Sequence, residues 1–595
     1  MPNWLMHKTD VNIEQMAKVL GISPVVAAVM ANRGIKSKLA AQSFLRPALS
    51  ELFDTGNMRD ALKAVEILSA AINNKHKIAI CGDYDVDGVM STAIMYKTLK
   101  ENGADVIYSI PHREIDGYGL NKRIVAELHE CGVKLLLTVD NGISAIDEIK
   151  YAKELGMQVV IIDHHEPPFE LDSDKKTDIL PDADAIIDPK RADCEYPFKL
   201  MCAAGLAYKF SVLFYEKLGK PLKNSDELLA LASVATLCDV VDLVSENRII
   251  AKFGMDILNK HTIVNLGMRK LFEKRGLVNK KIGAYEIGFI IGPCINATGR
   301  LDNASSAVEL FITSDEDLAD ELADKLIHLN NERKNITQDA ISKAVSAIEK
   351  ADLKAEPVIV YYEPEIHESV AGIVAGRLKD AFFHPAIVLT DNGNQVKGSA
   401  RSIEGYNIFE SLYRNKELFI KFGGHEMAAG LSLEKQNVEL LREALNRQCE
   451  LSDEDFIRKI RVDRALALED IDISLIKALQ VLLPHGKGNA APVFGSKNIV
   501  ADKVELIGEN KNTLRFHFKV NSRKYLKAVC FGSLEQFEKD LLAAYSQTEV
   551  DILHNSMLRG IRMDALYYLE LNEYAGNEYI GMRVFDYRIL KNGGI

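Results

Sequence analysis

The eight residues from Cys81 to Gly88, CGDYDVDG, constrain this chain more than any other stretch. They follow a short apolar run at 78–80, predicted as a strand. They precede an apolar stretch at 89–99, predicted as a helix. Asp83, Asp85 and Asp87 fall on alternate residues of the turn between. Three carboxylates held that close repel one another unless a cation neutralises them. Hard divalent ions take oxygen ligands, so Mn²⁺ or Mg²⁺ is the simplest resident. A solvated acidic turn is the plain alternative. A calcium loop of the D-x-D-x-D-G kind fails downstream, because no glutamate stands at the twelfth position and an apolar helix starts at once.

Other acids converge on the same place. From about residue 75, apolar runs at 77–80, 105–110, 134–139, 158–162 and 185–187 alternate with helical segments, which predicts a parallel α/β sheet. In open parallel sheets the site lies beyond the carboxyl ends of the strands. The first run ends at the aspartates, the third at Asp140 and the fourth at Asp163-His164-His165. A lone aspartate there is ordinarily a helix cap, and Asp140-Asn141-Gly142 alone reads as a tight turn. Three such ends on one edge favour a metal centre instead. His164 and His165 are adjacent, and in a turn both imidazoles can face the ions. Asp239 closes an apolar helix at 228–238, where it meets the unfavourable end of the helix dipole. A cation there would offset that penalty.

At 595 residues the chain is too long for one core and predicts three to five domains. Its net charge of −12 argues against a general nucleic-acid coat but leaves room for a local basic groove. The eight cysteines include no Cys-x-x-Cys pair, so neither a zinc finger nor a disulfide scaffold is indicated. Free thiols suggest a reducing, cytoplasmic location. No signal-peptide pattern is present and no apolar run reaches about 18 residues, so no membrane span is expected.

Residues 1–70 read as a helical appendage packed on the neighbouring α/β domain, with Asp10 or Asn12 as caps. Residues 313–352 read as one connecting helix, opened by a capping box from Thr313 to Glu316. At ~1.5 Å per residue it spans roughly 50 Å. A smaller α/β lobe occupies 353–452. In 453–595, Leu514, Phe516, Phe518 and Val520 alternate with Arg515, His517 and Lys519. That period of two predicts a half-buried strand with a basic outer face, in a small OB-like β-barrel. Basic residues also punctuate the glycine-rich segments. Arg113 stands near Tyr118 in PHREIDGYGLN, and Arg300 follows Gly299 in GPCINATGRLDN, read as a loop. Arg377 lies on a helix rich in small residues. Lys397, Ser399 and Arg401 share a short extended run, and His425 follows two glycines. Arg, Ser and His donate to phosphate oxygens, and glycines let backbone amides approach an anion.

DYDVDG, TVDNG, IDHHEPP and ATLCDVVDL, in this order, resemble the four motifs of the DHH phosphoesterase superfamily. Spacing and downstream motifs resemble most its RecJ-type branch, the bacterial single-strand-specific 5′→3′ exonucleases. The resemblance implies an α/β fold: a parallel-sheet DHH catalytic domain (71–312), a long helix (313–352), a smaller α/β DHH-associated domain (353–452) and a C-terminal OB-like barrel (453–595). It implies a two-ion Mn²⁺ or Mg²⁺ centre of Asp83, Asp85, Asp87, Asp140, His164, His165 and Asp239. Asp85 and Asp140 would serve both ions, and Asp163 would hold an imidazole in the right tautomer. Arg113, Tyr118, Arg300, Arg377, Ser399, Arg401 and His425 would bind the nucleic acid. The implied activity is exonucleolytic hydrolysis of single-stranded DNA to 5′-mononucleotides, in DNA repair and recombination. A single-strand-binding protein and a helicase are candidate partners of a monomeric enzyme. A duplex, about 20 Å across on the scale of its grooves, should not enter such a site.

Two positions depart from the pattern. Cys81 stands where related small-substrate phosphoesterases have His, and Asp188-Pro189 where Asn-Pro is usual. Two alternatives accompany the reading. One is a phosphodiesterase of oligoribonucleotides or cyclic dinucleotides, against which the C-terminal barrel argues. The other is a non-enzymatic scaffold like the related subunit of the eukaryotic replicative helicase, against which the intact acidic and His positions argue.

Overall fold

A computed structural model describes residues 2–591, except 114, 118, 173–174, 261–264, 523 and 575. The chain divides into two compact units. The first comprises 49–241 and 245–458. The second comprises 2–48, 242–244 and the chain from 459 onward.

The first unit opens with a five-stranded sheet. Its order is Asp105–Ser109, Lys77–Cys81, Val133–Val139, Gln158–Ile162, Ala185–Ile187, all parallel. These are the five predicted strands. Alternate residues point to opposite faces. Ile78, Ile80, Leu135 and Leu137 enter one apolar core, and Ala79, Cys81, Leu136 and Val159 enter another. Both faces are covered, which is why the strands read as continuous apolar runs. The chain reverses direction across the sheet between Lys77–Cys81 and Val133–Val139. That switch point, where connections leave to opposite sides, opens a crevice at the strand ends. Asp83 to Asp87 follow one of these strands and Asp140 the other.

The helix after the first aspartates runs Val86–Glu101, three residues earlier than predicted. Asp85 is its N-cap, accepting from the amides of Asp87 (2.9 Å) and Gly88 (3.0 Å). Asp87 therefore sits in the first helical turn, not in the preceding loop. Gly88 permits this: a Cβ there would lie 2.4 Å from the Asp83 carbonyl oxygen. The helix Ser225–Cys238 ends at Asp239, as predicted. It packs closely on Ser245–Leu258, where a Cβ on Gly254 would meet Ser233 at 2.1 Å. Glu246 anchors that second helix. Fully buried, it accepts from Lys209 Nζ, from Tyr196 Oη (3.0 and 2.8 Å) and from the Phe53 amide (2.9 Å).

The connecting helix spans Glu316–Lys350, 35 residues. Its cap is Asp315, which accepts from Asp317 and Leu318 amides. Thr313 closes the preceding helix, so the predicted capping box does not form. The carboxylate at Asp315 reaches the free amides first. Beyond it lies a second sheet, ordered Phe419–His425, Ala428–Leu433, Gln395–Arg401, Ala386–Asn392, Ile359–Tyr362. Only the last pair is parallel.

In the second unit, Asn3–Met6 pairs in parallel with Lys459–Val462. Residues 2–48 thus belong with the C-terminal region, while 49–70 pack with the parallel sheet, Ala61, Ala64, Val65 and Leu68 entering its core. Strands Phe494–Ile507, Thr513–Lys519, Tyr525–Phe531, Asn577–Ile589 and Ile561–Tyr574 close into a barrel, the last pairing back to the first. Leu514, Phe516 and Phe518 fill it, as the alternation predicts. The outer face is less basic than predicted. Glu505 on the neighbouring strand engages Lys503 (2.8 Å), His517 (3.0 Å) and Arg515 (3.5 Å). Lys503 and His517 hold that carboxyl down to about 2, against the opposing effect of burial. Among the described residues no single helix is long and apolar enough to cross a membrane.

Removing one partner of a buried ion pair leaves the other charge uncompensated, at a cost of about 3–5 kcal/mol. Glu246→Ala is expected to lower the urea-unfolding free energy of the first unit by that amount, read by circular dichroism. Surface Glu216→Ala should change it by less than about 0.5 kcal/mol.

Candidate metal centre and arginine cleft

Seven side chains from four segments converge at the sheet edge. Ligand atoms of Asp83, Asp85 and Asp140 lie within 4.8 Å of one another. So do those of Asp87, His164 and Asp239, and those of Asp140, His164 and His165. All seven predicted ligands are thus assembled. Asp140 belongs to two of these groups. Asp85 belongs to one, and its Oδ1 is occupied by the helix amides. His164 is the second shared residue, with Nε2 at 3.1 Å from Asp140 Oδ1 and 3.6 Å from Asp87 Oδ2.

The backbone holds this geometry under strain. Asp140 has φ +61°, a left-handed conformation that few residue types besides Asn, Asp and Gly adopt readily. Asn141 locks the turn, donating to the carbonyls of Cys81 (3.1 Å) and Val139 (2.9 Å). At Gly142, φ +112°, a Cβ would strike Thr138 Oγ1 at 2.4 Å. Asp163 lies behind the ligands. It accepts from His165 Nδ1 at 2.7 Å, from the His164 amide at 2.7 Å and from the Ile143 amide at 3.0 Å. Burial opposes its ionisation, but the His165 hydrogen bond and charge hold it down to about 2. His165 in turn, against burial, is raised to about 9 by Asp163. With Nδ1 held by Asp163, an ion bound by His165 would take Nε2.

The acids themselves are frustrated. Burial, then the charge of Asp85, raises Asp87 to about 6. Burial, then Asp87, raises Asp239 to about 7. Burial and four neighbouring carboxylates push Asp140 well above the usual range, and burial with Asp85 does the same to Asp83. Asp83 Oδ1 is buried with no hydrogen-bond partner among the described residues. Five carboxylates and two imidazoles, with an orphaned oxygen among them, fit hard divalent cations such as Mn²⁺ or Mg²⁺. Cys81 joins none of these groups. Its thiol is buried in an apolar core and raised to about 12 by burial and the charge of Asp83. Asp188 is wholly buried, raised to about 8 by burial and by Asp163.

A complementary site lies between the two sheets of the same unit. A cleft of about 730 Å³ is lined by Arg113, Arg300, Lys397, Ser399, Arg401 and Lys421, together with Glu368 and the glycines Gly372, Gly398, Gly423 and Gly430. GPCINATGRLDN is not a loop: Gly292–Leu301 is a helix, with Pro293 in its first turn, where proline is tolerated. Its last turn presents Arg300, whose Nη1 donates to the Ser369 carbonyl at 2.6 Å. Asn296 of this helix accepts from the Val86 amide at 3.2 Å, tying it to the aspartate turn. Gly299 packs on Tyr84, where a Cβ would approach the carbonyl oxygen to 2.5 Å. Arg113 stacks over the Tyr84 ring at 5.1 Å. Arg401 donates to Ser399 Oγ at 2.9 Å, and Gly372 leaves room for both. Burial and then the nearby Arg113 lower Arg300 to about 10, and the same two causes lower Arg401. Buried cations crowded by a like charge in this way call for an anion between them.

Of the predicted nucleic-acid contacts, Arg113, Arg300, Ser399 and Arg401 therefore meet in one cleft. Arg377 is exposed on the helix Glu368–Phe382 and is not part of the lining. Nor is His425, which ends a hairpin strand and accepts from the Met427 amide at 3.3 Å. Tyr118 lies outside the described residues.

Family comparisons agree with this layout. Residues 77–236 match the DHH family N-terminal domain, 355–451 the DHHA1 domain and 462–586 the RecJ OB domain. Over 556 residues the chain is 32% identical to the single-stranded-DNA-specific exonuclease RecJ of Haemophilus influenzae, covering 90% of this chain and 92% of that one. This chain belongs to the RecJ family. The RecJ of Bacillus subtilis is 36% identical over 537 residues, 89% of this chain but 66% of its own length. The crystal structure of RecJ in complex with Mn²⁺ from Thermus thermophilus matches with a TM-score of 0.79 and 25% identity, covering 100% of this chain and 81% of that one. A further crystal structure of exonuclease RecJ bound to manganese matches with a TM-score of 0.58 and 30% identity, covering 68% and 97%.

In this RecJ-family chain, Asn141 and Asn296 carry positions that sequence reasoning left unassigned. Both sit inside quoted motifs, but a neutral amide gives no charge signal of its role.

A buried aspartate with a raised native pKa costs stability once the pH exceeds its unfolded value of about 3.9, and the cost grows until the native pKa is passed. In EDTA, Asp140→Asn is therefore expected to unfold at a higher temperature than the parent, by a margin that widens as the pH rises. Asn tolerates the left-handed backbone equally well. Adding Mn²⁺ should raise the melting temperature of the parent and leave the variant unmoved. Differential scanning calorimetry with and without the ion reads both effects.

Proposed function

We propose that this chain is a metal-dependent, single-stranded-DNA-specific exonuclease that works 5′→3′ and releases 5′-mononucleotides. One observation carries the reading. A cluster of acids that need cations and a cleft of arginines that need an anion occupy one unit, joined through the helix Gly292–Leu301 and its Asn296 contact. The names of its relatives supply the substrate class: they are single-stranded-DNA-specific exonucleases.

Asp83, Asp85, Asp87, Asp140, His164, His165 and Asp239 would hold two Mn²⁺ or Mg²⁺ ions. Bound there, the ions supply a water of lowered pKa and neutralise charge on the phosphate. The protein does the rest. Asp163 keeps His165 oriented by holding its Nδ1. Arg300, Arg401, Arg113 and Ser399 hold the phosphate at the 5′ end through charged hydrogen bonds. The next phosphodiester then lies toward the aspartates. A bond forms between a water oxygen and phosphorus, the bond from phosphorus to the 3′-oxygen of the terminal nucleotide breaks, and that oxygen takes up a proton. A cleft of about 730 Å³ has the size of a small-ligand pocket and excludes a duplex. The C-terminal barrel, an OB domain, suits the remainder of a single strand.

The test is digestion of 5′- and 3′-end-labelled single strands in Mn²⁺. The 5′ label is expected in mononucleotides from the first turnover, while the 3′ label shortens stepwise. Cleavage that survives EDTA or Asp140→Ala, or that releases the 3′ label first, would sink the reading. Arg300→Ala is expected to raise KM for single strands by about tenfold or more, the loss of one charged hydrogen bond. Arg300→Lys should recover part of it.

A further inference from the structure

A pair of large aromatic side chains in the first unit faces solvent. Tyr285 and Phe289 are 62% and 68% exposed. Their rings stack, with centroids 5.2 Å apart and planes 24° from parallel. Exposing two large rings is unfavourable, and self-stacking covers one face of each at most. They flank the start of a π-helical stretch, Glu286–Ile291, which runs directly into the arginine helix. Such stretches are rare and concentrate at functional sites.

The inward side of this stretch is fitted against the metal centre's own scaffold. Ile287 and Ile291 are fully buried. Cys238 Sγ donates to the Ile287 carbonyl at 3.8 Å, and a Cβ on Gly292 would come within 2.5 Å of that sulfur. Asp239 is the next residue after Cys238. The rings therefore stand on the outer side of a helix whose inner side touches the neighbour of a candidate ligand, and whose continuation carries Arg300. Gly288 lies between them in sequence. A Cβ there would meet nothing within 4 Å, so packing does not require glycine. The preceding segment, KRGLVNKK from Lys274 to Lys281, holds four cations and no acid. Of these, Lys274 is committed to Asp320 and Asp324.

Flat aromatic faces beside a basic run are what sequence-independent binding of single strands requires, because every base has a face to stack. We propose that Tyr285 and Phe289 form a stacking platform for bases of the single strand on the 3′ side of the cleaved phosphate, outside the arginine cleft. This rests on the single-strand reading above. The platform holds the undigested strand while the cleft holds its terminus, so it acts on long substrates and not on the shortest ones.

The test compares Tyr285→Ala, Phe289→Ala and the double variant with the parent in Mn²⁺, on a long single strand, the same strand with consecutive abasic sites, and a dinucleotide. Loss of one stacked base costs roughly fivefold or more in binding. KM for the long strand should rise by at least that factor per ring with kcat kept. Turnover of the dinucleotide should be unchanged, and the abasic strand should no longer distinguish parent from variant. Tyr285→Phe and Phe289→Tyr should behave as the parent. The proposal is overturned if the double variant, with parental circular dichroism, keeps the parental KM on long strands, or if it loses equally on all three substrates. It is also overturned if light scattering shows a parental dimer that the double variant abolishes, since a second copy would then cover the rings. A parent that degrades no single strand in Mn²⁺ would refute the underlying activity instead, a separate result.

Discussion

Mutual repulsion among buried carboxylates is the constraint on which the rest depends. Asp83, Asp87, Asp140 and Asp239 are brought together where burial disfavours their charge, and the neighbouring carboxylates, Asp85 among them, raise them further. No arrangement of hydrogen bonds among the described residues resolves this, as the orphaned Asp83 oxygen attests. A fold that keeps such a cluster must find stability elsewhere. It does so with a sheet covered on both faces and with helices fitted through Gly254, Gly267 and Gly292, where any side chain would collide.

The opposite frustration stands in the cleft. Burial and the charge of Arg113 lower Arg300 and Arg401, the counterpart of the acids raised at the other site. The two sites have opposite needs, and a phosphodiester strand with divalent counter-ions meets both. Glu368, which accepts from Lys397 at 3.0 Å, keeps part of the cleft neutral, so the strongest positive field falls on the arginines.

Much of this was legible in the chain. All five strands of the first sheet announced themselves as apolar runs, and the acids and imidazoles that end them could be placed on one edge from topology alone. What could not be read was local competition. Asp85 captured the helix amides, so the helix began before its apolar stretch. Asp315 displaced Thr313 as a cap for the same reason. GPCINATGRL looks like a loop by composition, yet proline at a helix start and burial of Ile295 and Ala297 make it a helix. The charges of Arg515 and His517 looked free because their partner, Glu505, lies on another strand. Arg377 and His425 were placed with the cleft by motif, but their side chains fall outside its lining. Asn141 and Asn296 were invisible because amides hold backbone without altering charge.

The contact between Asn296 and the Val86 amide has a consequence for product size. It couples the helix that carries Arg300 to the turn that carries the aspartates, both within one packed unit. On the proposed reading, the distance from the anchored terminus to the bond that breaks is then a fixed ruler. The stride of the enzyme along its strand would be written in that one amide bridge, and not in the affinity of either end.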